Sequence, residues 1–147
     1  MKLEDVVNQD IKKAMMEKAE DRLEGLRTIK TAIQVEKAKE GIDLTDDQVI
    51  KVIQKLVSQR TESATQYAQA GRIDLVDHEM VLITIFKTYL PEQMSEDEIT
   101  VKVKEFITNV GATSIKDMGK VMGIANKEFL GKADMKMVGG IVKKMLS

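Results

Sequence analysis

Residues 45 to 91 read TDDQVIKVIQKLVSQRTESATQYAQAGRIDLVDHEMVLITIFKTYLP, and this stretch decides the fold class. Its apolar residues recur every three or four positions, as on one face of an α-helix, and alternating strand-like runs are absent. One helix is predicted to begin at a capping box of Thr45 and Gln48 and to stop at Gly71, and a second runs into Pro91. The same spacing extends over the rest of the chain, so we predict an all-α protein with about seven helices.

Pro91 is expected to divide the chain into two lobes. A proline pushes the preceding residue out of the helical region, so the helix before it must end near Leu90. We predict a larger N-terminal helical lobe over 1–91 and a small C-terminal lobe of three helices over 92–147. The three helices of the second lobe are expected to start at capping residues, which are Ser95, Ser114 and Asp134.

The composition excludes several classes of protein. The 147 residues include no Cys and a single histidine, His78, which rules out disulfide scaffolds, thiolate nucleophiles and zinc centres rich in cysteine or histidine. We therefore expect no metal and no cofactor. No apolar run approaches the roughly 20 residues that span a bilayer, and residues 1–5 turn acidic where a signal peptide needs a hydrophobic stretch. We expect no membrane contact and a cytoplasmic location.

The sequence carries no recognisable catalytic constellation. Gly119-Lys120 and Gly131-Lys132 look like the end of a phosphate-binding loop, but the first glycine and the final hydroxyl residue of that motif are missing. Acidic runs such as Asp46-Asp47 fall in the first turns of predicted helices, where the helix dipole favours negative charge. We therefore predict no catalytic residues, and the residues alone give no support for independent catalysis.

Arg60 is a charged residue inside an apolar helical stripe. It shares that stripe with residues such as Ile53 and Leu56, and Glu79 lies in the same way on the next helix. Because an unpaired buried charge is costly, we predict a structural ion pair between Arg60 and Glu79. The alternative is that Arg60 lines a groove for an anionic ligand.

The most informative pattern follows Gly111. Residues 111–147 contain seven basic and three acidic residues, and lysines stand beside glycines on the outer faces of the last two predicted helices. The candidate nucleic-acid-binding residues are Lys116, Lys120, Lys127, Lys132, Lys136, Lys143 and Lys144, with Gly119, Gly123, Gly139 and Gly140.

Glycine inside a helix costs roughly 1 kcal/mol relative to alanine, so glycines on these faces need an explanation. One is that a phosphate backbone approaches the helix, attracted by the lysines. The other is a solvated lysine face in which Gly119 and Gly123 permit close contact between helices. Because aromatic residues are scarce, a nucleic-acid ligand is expected to be structured RNA recognised by its shape.

Four blocks of sequence resemble the YqeY-like family. They are Ala70-Gly71-Arg72 followed by Asp74-Leu75-Val76, Tyr89-Leu90-Pro91-Glu92-Gln93-Met94-Ser95, Asp117-Met118-Gly119-Lys120-Val121-Met122, and Gly131-Lys132-Ala133-Asp134. The resemblance that these blocks carry extends over essentially the whole chain. The GatB/YqeY family is similar to the C-terminal helical and tail region of GatB, the tRNA-binding subunit of the glutamine-dependent Asp/Glu-tRNA amidotransferase.

The resemblance implies an all-helical, two-lobe protein whose small C-terminal lobe contacts tRNA, and it implies that the active sites of the amidotransferase are absent. The leading hypothesis is a non-catalytic module that binds tRNA or assists a tRNA enzyme. Two alternatives stay open. One is a helical adaptor that docks an aminoacyl-tRNA synthetase or an amidotransferase subunit, and the other is an activity associated with a carbon–nitrogen ligase that uses glutamine as amido donor, which follows from the resemblance alone.

Overall fold

The computed structural model describes all 147 residues and contains seven α-helices without any strand. The helices are α1 (Leu3–Glu17), α2 (Glu20–Glu40), α3 (Asp46–Gln69), α4 (Ile73–Lys87), α5 (Glu96–Val110), α6 (Met118–Glu128) and α7 (Met135–Leu146). A short 3-10 turn over Ile115–Asp117 precedes α6. The predicted all-α fold with seven helices is therefore confirmed.

The chain forms two compact units, an N-terminal unit of Met1–Pro91 and a C-terminal unit of Glu92–Ser147. In the N-terminal unit α3 and α4 make the most extensive helix–helix contact, and α1 and α2 complete the core. Its buried apolar side chains are Val7, Ile11, Ala14, Leu26, Ile29, Ile33, Leu44, Val49, Ile53, Leu82 and Phe86.

The ends of α3 and α4 show how local sequence sets the helices. Thr45 Oγ1 accepts a hydrogen bond from the backbone N–H of Gln48 at 3.3 Å, and Gln48 Oε1 accepts one from Thr45 N at 2.8 Å, so the predicted capping box is present. Helix α4 ends at Lys87, earlier than predicted. The N–H groups of residues 88–90 each bond to the carbonyl three positions back, which tightens the last turn before Pro91 and ends the α-helix there.

The C-terminal unit packs α5, α6 and α7 around a core of its own. Its buried residues are Ile99, Val103, Phe106, Val121, Ala125, Phe129, Ala133, Val138, Val142 and Leu146. The rings of Phe106 and Phe129 pack in this core with their centroids 5.5 Å apart. Because they are the only aromatic residues of the unit, it has no aromatic side chain on its surface.

The loop between α6 and α7 is held by the segment that leads into α5. Gln93 Nε2 donates a hydrogen bond to the carbonyl oxygen of Gly131 at 2.6 Å, and the N–H of Met94 donates one to the carbonyl oxygen of Lys132 at 2.8 Å. Gly131 is buried and has a φ of +75°, which a residue with a side chain rarely adopts. This glycine turn and its two hydrogen bonds fix the path of the chain from α6 into α7.

Ser114 is the N-cap of the 3-10 turn that leads into α6, whereas the prediction made it the cap of the α-helix itself. The oxygen Oδ2 of Asp117 accepts hydrogen bonds from the N–H groups of Thr113 at 2.9 Å and Ser114 at 3.3 Å. This closes a tight turn, and the α-helix begins only at Met118. Lys116 therefore lies in the 3-10 turn and not on the face of α6.

Candidate nucleic-acid interface

The seven lysines of residues 111–147 are all exposed, and we call them the lysine surface. They lie on four successive segments of the C-terminal unit: Lys116 in the 3-10 turn, Lys120 and Lys127 on α6, Lys132 in the loop, and Lys136, Lys143 and Lys144 on α7. The hydrogen-bonded loop and the packed inner faces of α6 and α7 hold the backbone that carries them.

The two faces of α6 are separated as the helical spacing predicts. Val121 and Ala125 are buried, whereas Lys120 and Lys127 are exposed. The two lysines are seven residues apart, which places them about 20° apart around the helix and about 10 Å apart along it. Helix α6 therefore presents a pair of ammonium groups on one line.

Helix α7 carries a second pair with the same spacing, formed by Lys136 and Lys143. Val138 and Val142 are fully buried on its opposite side. Both helices thus expose lysines at an interval of seven residues above a buried apolar face.

Gly139 does not belong to the outer face of α7, contrary to the prediction. It is partly buried, and a Cβ atom there would lie 3.9 Å from Cε of Met122 and 4.0 Å from Cε of Met118. The reason is helical geometry, because Gly139 lies seven positions before the buried Leu146 and shares its side of the helix. This glycine faces α6 and is explained by the packing of the two helices.

The other three helical glycines of this region face open space. A Cβ atom at Gly119, Gly123 or Gly140 would have no neighbouring atom within 4 Å, and none of these glycines has a positive φ. The structure therefore contradicts the alternative in which Gly119 and Gly123 permit close contact between helices. Alanine fits at all three positions and would gain roughly 1 kcal/mol of helix propensity at each, so the fold does not require glycine there.

The positive charge of the lysine surface is not neutralised by ion pairs. None of its ammonium groups lies within 4.0 Å of a carboxylate, and the one ion pair of the C-terminal unit joins Lys102 to Glu105 at 3.6 Å. Two of the three acidic residues of the region bind backbone instead. Asp134 Oδ1 accepts from the N–H of Lys136 at 2.9 Å, and Asp117 closes the turn before α6.

The backbone bonds of Asp117 also affect its titration. The N–H groups of Thr113 and Ser114 lower the pKa of this carboxyl below its ordinary value, and the nearby charge of Lys120 lowers it further. The carboxylate is therefore ionised at neutral pH and committed to the turn.

Arg60 and Glu79 lie next to each other in the N-terminal unit. Arg60 Nη1 is 3.3 Å from Glu79 Oε1, and the side chains are 36% and 6% exposed. The second carboxylate oxygen of Glu79, Oε2, is buried and has no hydrogen-bond partner. Arg60 thus provides the hydrogen bond that keeps the carboxylate of Glu79 from being buried alone.

The fold also brings together three residues that the sequence analysis did not connect. Ligand atoms of Asp21, Glu24 and His78 all lie within 4.8 Å of one another on the surface of the N-terminal unit. Asp21 and Glu24 have the i, i+3 spacing of one helix face, which the sequence shows, but His78 is 54 positions from Glu24. Only the packing of α4 against α2 makes the group visible.

Several relatives of this chain share the name "Altered inheritance of mitochondria protein 41, mitochondrial". The protein from Lachancea thermotolerans is 33% identical over 113 residues, which cover 74% of this chain and 60% of the relative. That from Kluyveromyces lactis is 29% identical over 141 residues, covering 93% and 72%, and that from Clavispora lusitaniae is 31% identical over 105 residues, covering 70% and 61%. The chain thus spans about 60% of the length of two of these relatives.

These names overturn the predicted cytoplasmic location, because the relatives are named as mitochondrial proteins. The prediction was wrong because it rested on the absence of an apolar run that spans a bilayer and of a signal peptide. These absences do not distinguish one aqueous compartment from another. No helix of the structure has both the length and the apolar character that crossing a membrane requires.

The family relationship covers nearly the entire chain and both compact units. The family model described as Yqey-like protein matches residues 4–146. It takes in all four sequence blocks that carried the resemblance, from Ala70 to Asp134. The chain therefore belongs to the YqeY-like protein family.

Proposed function

We propose that this protein is a non-catalytic module that binds the sugar–phosphate backbone of tRNA through the lysine surface. One observation carries the proposal: seven exposed lysines without ion pairs stand beside three helical glycines that the fold does not need. Lysines provide attraction to phosphate that does not depend on sequence. Exposed glycines remove the Cβ atoms that would keep a phosphate backbone away from the helix.

The positions of the aromatic residues favour structured RNA over single strands. Proteins that bind single-stranded bases stack them on exposed aromatic rings. Phe106 and Phe129 are instead packed against each other inside the C-terminal unit. A surface with lysines and without rings suits a folded RNA whose backbone, not its bases, is presented to the protein.

The first experiment measures binding of the purified protein to total tRNA at about 50 and about 200 mM salt. A charge-reversal variant tests whether the lysine surface is responsible, and circular dichroism checks that the variant folds. Binding through about three phosphates should weaken about 40-fold over this salt range because counterions are released. The variant Lys120→Glu/Lys136→Glu/Lys143→Glu should lose the salt-sensitive binding while keeping its helices.

A matched control is Lys12→Glu/Lys30→Glu/Lys51→Glu, which changes the net charge equally at exposed lysines of the N-terminal unit that form no ion pair. Its tRNA binding should stay within a few-fold of the wild type. Equal losses in both variants would show an unspecific charge effect and contradict the proposal, as would wild-type binding that does not respond to salt.

The adaptor hypothesis remains the second candidate because of one surface feature. The N-terminal unit has an open groove of about 670 Å³ along α2, lined by Leu23, Ala32 and Leu56 together with polar residues. A groove with both apolar and polar walls suits an amphipathic helix of a partner enzyme, and the apolar part of such binding would respond little to salt. The carbon–nitrogen ligase activity stays an expectation of the resemblance alone.

A further inference from the structure

The cluster of Asp21, Glu24 and His78 combines one imidazole nitrogen with two carboxylates from two helices. Asp21 and Glu24 belong to α2, and His78 belongs to α4. His78 Nε2 lies 3.2 Å from Glu24 Oε1, and all three ligand atoms lie within 4.8 Å of one another. A single histidine argued against a histidine-rich centre, but it does not argue against a mixed site of this kind.

The spacing of these atoms fits a coordinated metal ion. Metal–ligand bonds of about 2.0–2.1 Å in a tetrahedral site place neighbouring ligand atoms about 3.3 Å apart. The distance between His78 Nε2 and Glu24 Oε1 already has this value. The ligand oxygen of Asp21 lies within 4.8 Å of both other ligand atoms, and this exposed side chain is free to change its rotamer and approach them.

The charges of the cluster also call for a cation. Neither Asp21 nor Glu24 lies within 4.0 Å of a lysine or arginine, and the one ion-pair partner of Glu24 is the imidazole of His78. The N-terminal end of α2 favours the negative charge of Asp21 in its first turn, but that effect fades beyond the first turn and does not extend to Glu24. Two carboxylates are thus close together without a permanent positive charge between them.

We propose that Asp21, Glu24 and His78 bind one divalent transition-metal ion of the zinc class, with water completing its coordination. The imidazole nitrogen selects such an ion over magnesium and calcium, which prefer oxygen ligands alone. The ion links α2 to α4, and it lies beside the groove along α2, because Glu24 is also one of the residues that line that groove. This site shares no residue with the lysine surface.

The test uses the full chain without a histidine tag, because the chain itself has one histidine. The protein is titrated with Co²⁺ and followed by its visible absorption, and Zn²⁺ binding is measured by isothermal titration calorimetry. We expect one equivalent to bind, Zn²⁺ to displace Co²⁺, and Mg²⁺ in large excess to have no effect. Zn²⁺ should also raise the thermal unfolding midpoint, since an ion that binds only the folded state stabilises it.

The variants His78→Ala and Glu24→Gln should each weaken Zn²⁺ binding by more than tenfold and abolish the rise in the unfolding midpoint. Both side chains are about half exposed, so the variants should fold, which circular dichroism checks. Asp77→Asn is the matched control, because it removes one exposed carboxylate of α4 beside His78 that is not part of the cluster.

Three results would overturn the site. The first is the absence of saturable Co²⁺ or Zn²⁺ binding by the wild type, which would leave a plain hydrogen bond between His78 and Glu24. The second is binding that persists in His78→Ala. The third is an equal loss in Asp77→Asn, which would mean that the metal responds to general negative charge.

Discussion

The two compact units differ in how they use charge. In the N-terminal unit several cations lie in ion pairs: Lys37 contacts both Glu4 and Asp43, and Arg60 contacts Glu79. In the C-terminal unit the lysine surface has no ion pair, although the whole chain has a net charge of only −1. Near neutrality of a protein therefore says little about the field around one of its parts.

The glycines differ between the units in the same way. Each glycine of the N-terminal unit has a reason in the fold, because Gly41 and Gly71 have positive φ angles and Gly25 packs against Ile85. In the C-terminal unit three helical glycines have no such reason. Glycines that the fold does not explain are candidates for a functional role. Substitutions of the glycines in each unit test this difference.

The largest effect is expected from Arg60→Met. The change leaves the carboxylate of Glu79 buried without a partner, and breaking a fully buried pair costs about 3–5 kcal/mol. Because Arg60 is partly exposed, we expect a loss of about 2–3 kcal/mol in the free energy of unfolding. Urea denaturation of the variant measures it.

This variant also separates the structural role of Arg60 from the alternative of an anionic groove. The double variant Arg60→Met/Glu79→Leu removes both charges and should recover most of the lost stability. A stable single variant whose tRNA binding is weakened would contradict the structural role and favour the anionic groove.

Gly25→Ala is the next test, and it probes a glycine that the fold requires. The new Cβ atom would lie 2.9 Å from Cγ2 of Ile85 and 3.3 Å from its Cβ, so either the side chain of Ile85 or the α2–α4 contact must shift. Overpacking of this kind costs about 1–3 kcal/mol, against a gain of about 1 kcal/mol in helix propensity. We expect a net loss of about 1 kcal/mol, within a range of about 0–2 kcal/mol, measured by thermal or urea unfolding. Unchanged stability would show that α2 shifts freely and would weaken the contrast between the units.

Gly123→Ala and Gly140→Ala should have the opposite sign. The new methyl groups meet nothing within 4 Å, so each variant should gain up to about 1 kcal/mol in stability. If a phosphate backbone approaches these helices, the same variants should bind tRNA several-fold more weakly. Gly139→Ala is the matched comparison, since its methyl group would point toward Met118 and Met122 and leave the outer surface unchanged.

A loss of stability in Gly123→Ala or Gly140→Ala would contradict the difference between the two units, because it would show that the fold requires glycine at that position. A gain in stability with unchanged tRNA binding would assign these glycines no part in the interface.

The parts of the molecule that the sequence predicts are those set by near neighbours along the chain. The capping box at Thr45 and the inner faces of α6 and α7 follow from residues a few positions apart, and the pairing of Arg60 with Glu79 follows from placing two adjacent helices side by side. The turn that holds Lys116 was missed because its cause is a carboxylate that bonds to the backbone N–H groups of Thr113 and Ser114, which helical periodicity does not report.

The remaining differences need the three-dimensional arrangement. The position of Gly139 depends on where α6 packs, since the residue lies at the edge of the apolar stripe of α7. His78 approaches Asp21 and Glu24 only through the packing of α4 on α2. The cellular location is not a property of the fold, and here the relatives corrected what composition suggested.

The smallest expected effect concerns Asp117, whose carboxylate is bonded to backbone while the lysines around it lack ion pairs. Its pKa is lower in the folded state than in the unfolded chain, mainly because of the N–H groups of Thr113 and Ser114. The stabilisation is therefore complete above the unfolded value of about 4 and is lost as the pH falls through the folded value. The difference in unfolding free energy between wild type and Asp117→Asn should be largest at neutral pH and shrink toward pH 3. The Asp117→Asn variant should bind tRNA no more weakly than the wild type, because removing one negative charge beside Lys120 leaves the lysine surface more positive. Weaker tRNA binding by a variant with full helicity would mean that Asp117 is part of the interface.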